Sequence, residues 1–425
     1  MAIDAVLQLK CSCNQYPWGK KGSESLAARL CQQTPGWDQK GGADSLPDPE
    51  KKKTDFKIDE ERYYSEMWIG TYPVLPSYVL ETGEDLQDVL DRSPKELIGE
   101  PTMKKFGHTK LPYLPKVLSI SKALPLQLHP NKEMAAKLHK ETPQDFTDPN
   151  HKPEIALALG TFEAFCGFKP LRSIATLMEL EPLKQFLPDV KKPELDDQGV
   201  KHIVHSMLTA DDDTIASCVT ALEKLSPDTF GKDTYIPKLI PRLKSQFDKT
   251  DPGLLVALIT MNYLVLQKGE SIYIPADGIH AYLSGDIIEC MARSNNVLNV
   301  GFCPTFERNS ADLFCSLLTF TPHSADESML KPVKYDGGKQ GKTLVFAPPM
   351  SEFNMLQTTL GKNERETLAA VPGPSILIVT EGSATMKAQG KSFELKEGFA
   401  FFVGQGVELE LESKDGLLMH TAYVH

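Results

Sequence analysis

Gly269-Glu-Ser-Ile-Tyr-Ile-Pro275-Ala-Asp-Gly278-Ile-His280-Ala-Tyr282, followed by Ser284-Gly-Asp286 and Ile287–Met291, is the stretch that decides how this 425-residue chain is read. Short β-branched runs alternate here with Gly and Pro. That predicts strands joined by tight turns, with Ile287–Met291 as a return strand carrying Glu289. The same texture persists from Leu258 onward. In the tail, Ser375–Thr380, Gly382–Lys387, Phe393–Leu395, Phe399–Val403 and Val407–Leu411 are strand-length runs separated by glycines. Even spacing of this kind signals a closed or sandwich-like β domain. No histidine lies inside these tail runs, so that domain is expected to be metal-free.

Upstream the period changes. Leu171, Ile174, Leu177, Met178 and Leu180 recur at helical spacing, as do Ile203, Val204, Met207 and Leu208, and then Ile215, Val219, Leu222 and Leu225. Residues 171–258 therefore read as several amphipathic helices. Near the start, a strand-like run (Ala5–Cys13) and a helix-like run (Ser23–Cys31) flank a Gly-, Pro- and aromatic-rich loop. Residues 36–60 shift to Gly, Pro, Asp and Lys and read as a solvated, mobile insertion.

Composition excludes several classes of function. The formal net charge of −11 opposes nonspecific attraction to nucleic acid or anionic lipid, so neither partner is expected. No run approaches the ~20 apolar residues of a membrane span, and no secretory leader is evident, so the cytoplasm is the expected compartment. The eight cysteines lack paired C-x2-C units and read as structural thiols.

Three segments carry candidate chemistry. In Leu124-Pro-Leu-Gln127-Leu-His129-Pro130, residues two apart share a strand face, so Gln127 and His129 point together. His151-Lys-Pro-Glu154 places a carboxylate at the mouth of a strand. The Gly, Pro, Gly, His order before His280 resembles the second cupin motif, in which a tight turn delivers a histidine into a β-barrel. Two imidazoles with oxygen donors suit zinc. Spacing alone does not separate such a set from hydrogen-bonded core histidines and a solvated strand-end carboxylate.

Four stretches together resemble type I phosphomannose isomerases: Tyr16-Pro-Trp-Gly-Lys20; Leu111–Ser119 running through Gln127-Leu-His-Pro-Asn-Lys132; Asn150-His-Lys-Pro-Glu154 through Lys169-Pro170; and Pro275 through Met291. They match in order over nearly the whole chain. The resemblance implies a mainly β fold, with a cupin-like β-barrel core, a helical insertion and a second, metal-free C-terminal β-barrel. The implied division is 1–170 with 259–325 for the zinc-binding domain, 171–258 for the helical one and 326–425 for the last. It also implies Zn2+ held by Gln127, His129, Glu154 and His280, and a small-molecule sugar phosphate as substrate. Glu289, Lys116 and Lys152 become the catalytic candidates, with Glu289 preferred for proton transfer, and Tyr282 and Trp18 the substrate-binding ones.

The pattern breaks after Met291. The family arginine falls on Asn299, its aspartate on Asn295, the lysine after Pro304 on Thr305, and the serine before the ligand glutamine on Pro125. Asn and Thr cannot replace charge-assisted hydrogen bonds to a phosphorylated substrate. Arg293, six residues from Asn299, is not expected to compensate. Three readings follow: an isomerase of mannose 6-phosphate, a divergent zinc protein acting on another small substrate, and a noncatalytic zinc-binding homologue.

Overall fold

A computed structural model describes residues 4–34, 56–188 and 195–424. The part of the expected insertion at 36–55 lies outside the described residues. Of the remaining residues, 56–60, Phe56 departs from the expectation, being buried and packed edge-to-face on Tyr64, whereas Lys57, Asp59 and Glu60 are exposed.

The strand-like run Ala5–Cys13 divides into β1 (Val6–Lys10) and β2 (Ser12–Asn14), which enter different sheets. The first sheet adds β3 (Glu66–Trp68), β4 (Tyr113–Ile120), β5 (Leu126–Leu128), β6 (Glu154–Ala158), β7 (Phe162–Phe168), β8 (Met261–Leu266), β9 (Ser271–Ile274), β10 (His280–Ala292) and β11 (Leu298–Gly301). Its path runs β8-β7-β10-β4-β3-β2, with β5 and β6 also paired to β10, β11 to β5 and β9 to β6. The thirteen-residue β10 is the hub. Its first half pairs with β7 and β5, and its second half with β4 and β6. The change of partners falls at Gly285, where φ is +121° and a Cβ would sit 2.5 Å from the Thr161 carbonyl oxygen. Only glycine fits that bend. Ser284-Gly-Asp286, expected as a turn, is thus a kink inside one continuous strand.

The second sheet contains β12 (Thr343–Phe346), β13 (Asn354–Leu360), β14 (Glu364–Leu368), β15 (Ser375–Ala388), β16 (Lys391–Lys396), β17 (Ala400–Val403) and β18 (Leu409–Tyr423). β1 joins it through Val6 opposite Val403, and the short run Tyr78–Val79 joins it in turn through Val79 opposite Leu9. Among the described residues no ladder closes either sheet into a ring; of closed and sandwich-like, the ladders give the open form. The two expected runs at 375–387 are one strand. The last run extends past Leu411 to Tyr423 and contains His420, so the expectation of no histidine in these strands fails. His420 is buried, its pKa is pushed down to about 3 by burial, and Thr380 Oγ1 lies 3.2 Å from its Nδ1.

Strand alternation sorts the first sheet's side chains. Val117, Ile155, Leu157, Ile288 and Cys290 join a core with Leu377, Phe401 and Phe402 of the second sheet. Their neighbours Lys116, Glu154, Ala156 and Glu289 therefore face the opposite, inner side. Residues 171–258 are helical over Leu171–Met178, Asp197–Thr209, Asp212–Glu223 and Ile236–Gln246. Their apolar stripes, including Ile203, Val204, Met207, Ile215, Val219 and Leu222, pack against Leu126, Leu128, Ala281 and Leu298 of the β core. All eight cysteines are buried free thiols. No described helix is long and apolar enough to cross a membrane.

Candidate metal centre and active site

The turn before β10 delivers His280 as the sequence suggests. Gly278 N–H donates to Pro275 O, and Asp277, at φ 62°, donates its N–H to His129 O at 2.6 Å. One turn thereby ties both histidine segments together. His129 and His280 are fully buried with ring centroids 5.1 Å apart. Glu154, at the start of β6, places Oε1 3.3 Å from His129 Nε2 and Oε2 3.7 Å from His280 Nε2.

Backbone carbonyls fix the tautomers. His129 Nδ1 lies 2.8 Å from Asn296 O, and His280 Nδ1 lies 3.0 Å from Gly278 O. A carbonyl only accepts, so each Nδ1 carries the proton and each Nε2 presents a lone pair. Both Nε2 atoms are buried without a hydrogen-bond partner. Burial pushes the His280 pKa down to about 4 and also lowers that of His129, keeping both neutral. Burial would raise the Glu154 carboxyl, but the charge of Lys152 (Nζ–Oε1 2.6 Å) outweighs it and holds it well below the usual range. Two buried lone pairs converging on a carboxylate fit a divalent cation. Among the described residues this is the His/Cys/Asp/Glu group so arranged. Gln127 stands directly opposite His280 in the β5–β10 pairing, so its side chain shares that face and offers an amide oxygen.

The inner face continues into a second cluster. Lys116 stands opposite both Glu289 and Trp68 in adjacent ladders. Its Nζ lies 3.2 Å from Glu289 Oε1 and 4.8 Å from the Trp68 ring centroid. Burial opposes the charge on Lys116, but Glu289, Glu66 and Glu154 together push its pKa up. Glu289 moves the other way from an ordinary carboxyl: burial, then the charge of Glu154, raises it to about 7 against the pull of Lys116 and Lys152. Tyr282 donates its hydroxyl to Glu154 Oε2 at 3.3 Å, and Trp18 is partly buried against the cluster containing Tyr282.

The positions that depart from the family pattern are also placed. Asn299 stands opposite Gln127 on β11; its Oδ1 is buried without a partner, while its backbone N–H and C=O are both bound by Asn309. Thr305 is exposed on the turn Thr305–Glu307, and Asn295 donates its N–H to Asp148. Pro125 is half-buried just before β5. Arg293 is engaged elsewhere, with Thr71 and over the Tyr72 ring (4.8 Å), so it does not take the place of the missing arginine. Trp68, Asn296 and Asp277 were not singled out from sequence. Glu66-Met-Trp68 did carry a signal, since residues two apart share a face.

A cupin-like β fold with a buried imidazole–carboxylate metal centre is the class these features define. Residues 6–171 match the phosphomannose isomerase type I catalytic domain, and residues 344–391 the phosphomannose isomerase type I C-terminal domain. Mannose-6-phosphate isomerase of Candida glabrata is 36% identical, covering 98% of this chain and 97% of that protein. The Schizosaccharomyces pombe enzyme of the same name is also 36% identical, covering 96% of each. The chain belongs to the type I phosphomannose isomerase family. Its fold matches a zinc-bound mannose 6-phosphate isomerase structure with TM-score 0.77, at 23% identity over 99% of both chains. The apo form from Salmonella typhimurium superposes with TM-score 0.78 at 22% identity, over 99% of this chain and 100% of that one.

Proposed function

We propose that the protein is a zinc-dependent aldose–ketose isomerase that interconverts mannose 6-phosphate and fructose 6-phosphate, acting in the cytoplasm. The observation that carries this reading is the buried His129–Glu154–His280 group with both Nε2 lone pairs unpartnered. His129, His280, Glu154 and Gln127 would hold the zinc. Bound there, it would polarise a substrate oxygen as a Lewis acid.

The remaining chemistry falls to side chains on the same inner face. Isomerisation moves a proton between C2 of the aldose and C1 of the ketose through an enediol. Glu289, with a pKa near 7, is suited both to take that proton and to return it. Lys116, held charged beside it, would stabilise negative charge developing on the enediol oxygen. Lys152 keeps Glu154 ionised, Tyr282 orients it, and Trp18 offers an aromatic face to the sugar.

The test compares zinc-loaded and chelated protein for conversion of mannose 6-phosphate, alongside His280→Ala. Turnover is expected only with zinc, and His280→Ala should lose bound zinc by elemental analysis. Zinc content unchanged by His280→Ala would overturn the ligand assignment.

A specific observation favours a second reading. By the resemblance, the family's arginine falls on Asn299, which stands directly opposite Gln127, and its lysine on Thr305, which is exposed. The positions to which the resemblance assigns those two positive charges hold neutral side chains here, which suits a different or unphosphorylated sugar. A panel of sugar phosphates and free sugars separates the two readings.

A further inference from the structure

Behind the metal centre lies a crevice of about 670 Å3. One wall carries Lys132, His151 and Pro275, which belong to the segments bearing His129, Glu154 and His280. The other is the 349–352 segment of the second β unit. A polar bridge crosses it: His151 Nε2 lies 2.6 Å from Glu352 Oε1, joining residues 201 positions apart. Glu352 is buried, and its other oxygen accepts the Ser351 N–H at 3.1 Å, so the carboxylate has a fixed aim. Burial would raise its pKa, but the bond and charge of His151 hold it below the usual carboxylate range.

His151 opens the short segment that ends in Glu154. Pro153 fixes its own φ and restricts Lys152 to extended conformations. A displacement of His151 is therefore passed along the backbone to Lys152 and Glu154. The opposite flank is already pinned. Asn150 Nδ2 donates to Arg293 O, while Ser294 Oγ and Asn296 Nδ2 donate to Asn150 O. The Glu352 bridge supplies the second point of attachment, from a different sheet.

We propose that Glu352 is a positioning residue for the metal centre: its carboxylate clamps His151 across the crevice and thereby sets where Lys152 and Glu154 stand. This rests on the metal reading above. The test follows zinc release from the full-length, zinc-loaded protein to a chelator. Glu352→Ala and His151→Ala should each release zinc about 10-fold faster, as changes behind metal ligands do. The double variant should be no faster than either single one, because both remove the same bridge. Glu352→Gln, whose amide oxygen still accepts from Nε2–H, should stay near wild type. His151→Ala, at a partly exposed position, carries the test alone if Glu352→Ala does not fold. Release at the wild-type rate in the single variants, or additive effects in the double one, would overturn the proposal while leaving the metal reading intact. Wild-type protein that never holds zinc would overturn both.

Discussion

Replacing Glu289 with Gln should stabilise the protein at alkaline pH and leave it nearly unchanged in acid. The side chain is buried, and its pKa rises from an ordinary 4.5 to about 7, with Lys116, Lys152, Glu154 and Glu66 as the charged groups around it. A carboxyl whose folded pKa lies above its unfolded one contributes stability that is complete below pH 4.5. That contribution is lost as pH rises toward 7, because the unfolded chain gives up its proton first. At ~1.4 kcal/mol per pKa unit, the loss amounts to about 3 kcal/mol by pH 8. Glutamine is neutral throughout and nearly isosteric. At pH 5 it faces Lys116 much as the protonated acid does, and the two proteins should have matching stability. At pH 8 the variant should be more stable by about that amount. The assay is denaturant unfolding of chelated protein at both pH values. A difference that does not change with pH, or a variant less stable at pH 8 than at pH 5 relative to wild type, would refute the reasoning. The variant should also lose isomerase turnover at every pH if Glu289 moves the proton.

Gly285→Ala should destabilise by about 3–5 kcal/mol, since its Cβ would meet the Thr161 carbonyl oxygen at a φ that suits glycine; a variant that melts with the wild type would refute the glycine requirement. Asn299→Arg combined with Thr305→Lys should raise kcat/KM on mannose 6-phosphate by about 10²-fold with zinc content unchanged. The contacts of Asn299 with Asn309 run through its backbone and survive the exchange. A folded, zinc-loaded double variant that stays inert would point to another substrate.

The candidate metal centre was legible through the family resemblance, whose motifs are short and local: the turn before His280, the run bearing Gln127 and His129, and the segment ending in Glu154; spacing alone left that set open. Helical periodicity likewise placed the stripes of residues 171–258. Sequence reasoning stopped where partners lie far apart along the chain. Nothing local to Glu352 announces His151, and nothing in Val6–Lys10 announces β17. The bend at Gly285 looked like a loop because a tight turn and a kink within one strand draw on the same residues. His420 was missed because the alternating, charge-rich residues after Leu411 obscured the continuation of β18.

The pairing of β1 with β17 has a consequence for how the chain is made. Val6 and its partner Val403 are translated roughly 400 residues apart, which at ordinary ribosome speeds is on the order of tens of seconds. Throughout that interval β1 can pair along one edge with the short run Tyr78–Val79, opposite Leu9 and Lys10, but its other edge waits for β17, while the helices of 171–258, built from local contacts, can already form. The nascent chain thus carries a hydrophobic strand with one open edge until late in its synthesis. That makes Ala5–Leu9 the natural place for a holding chaperone to bind during synthesis, and the place where a bulky fusion would do most harm to yield.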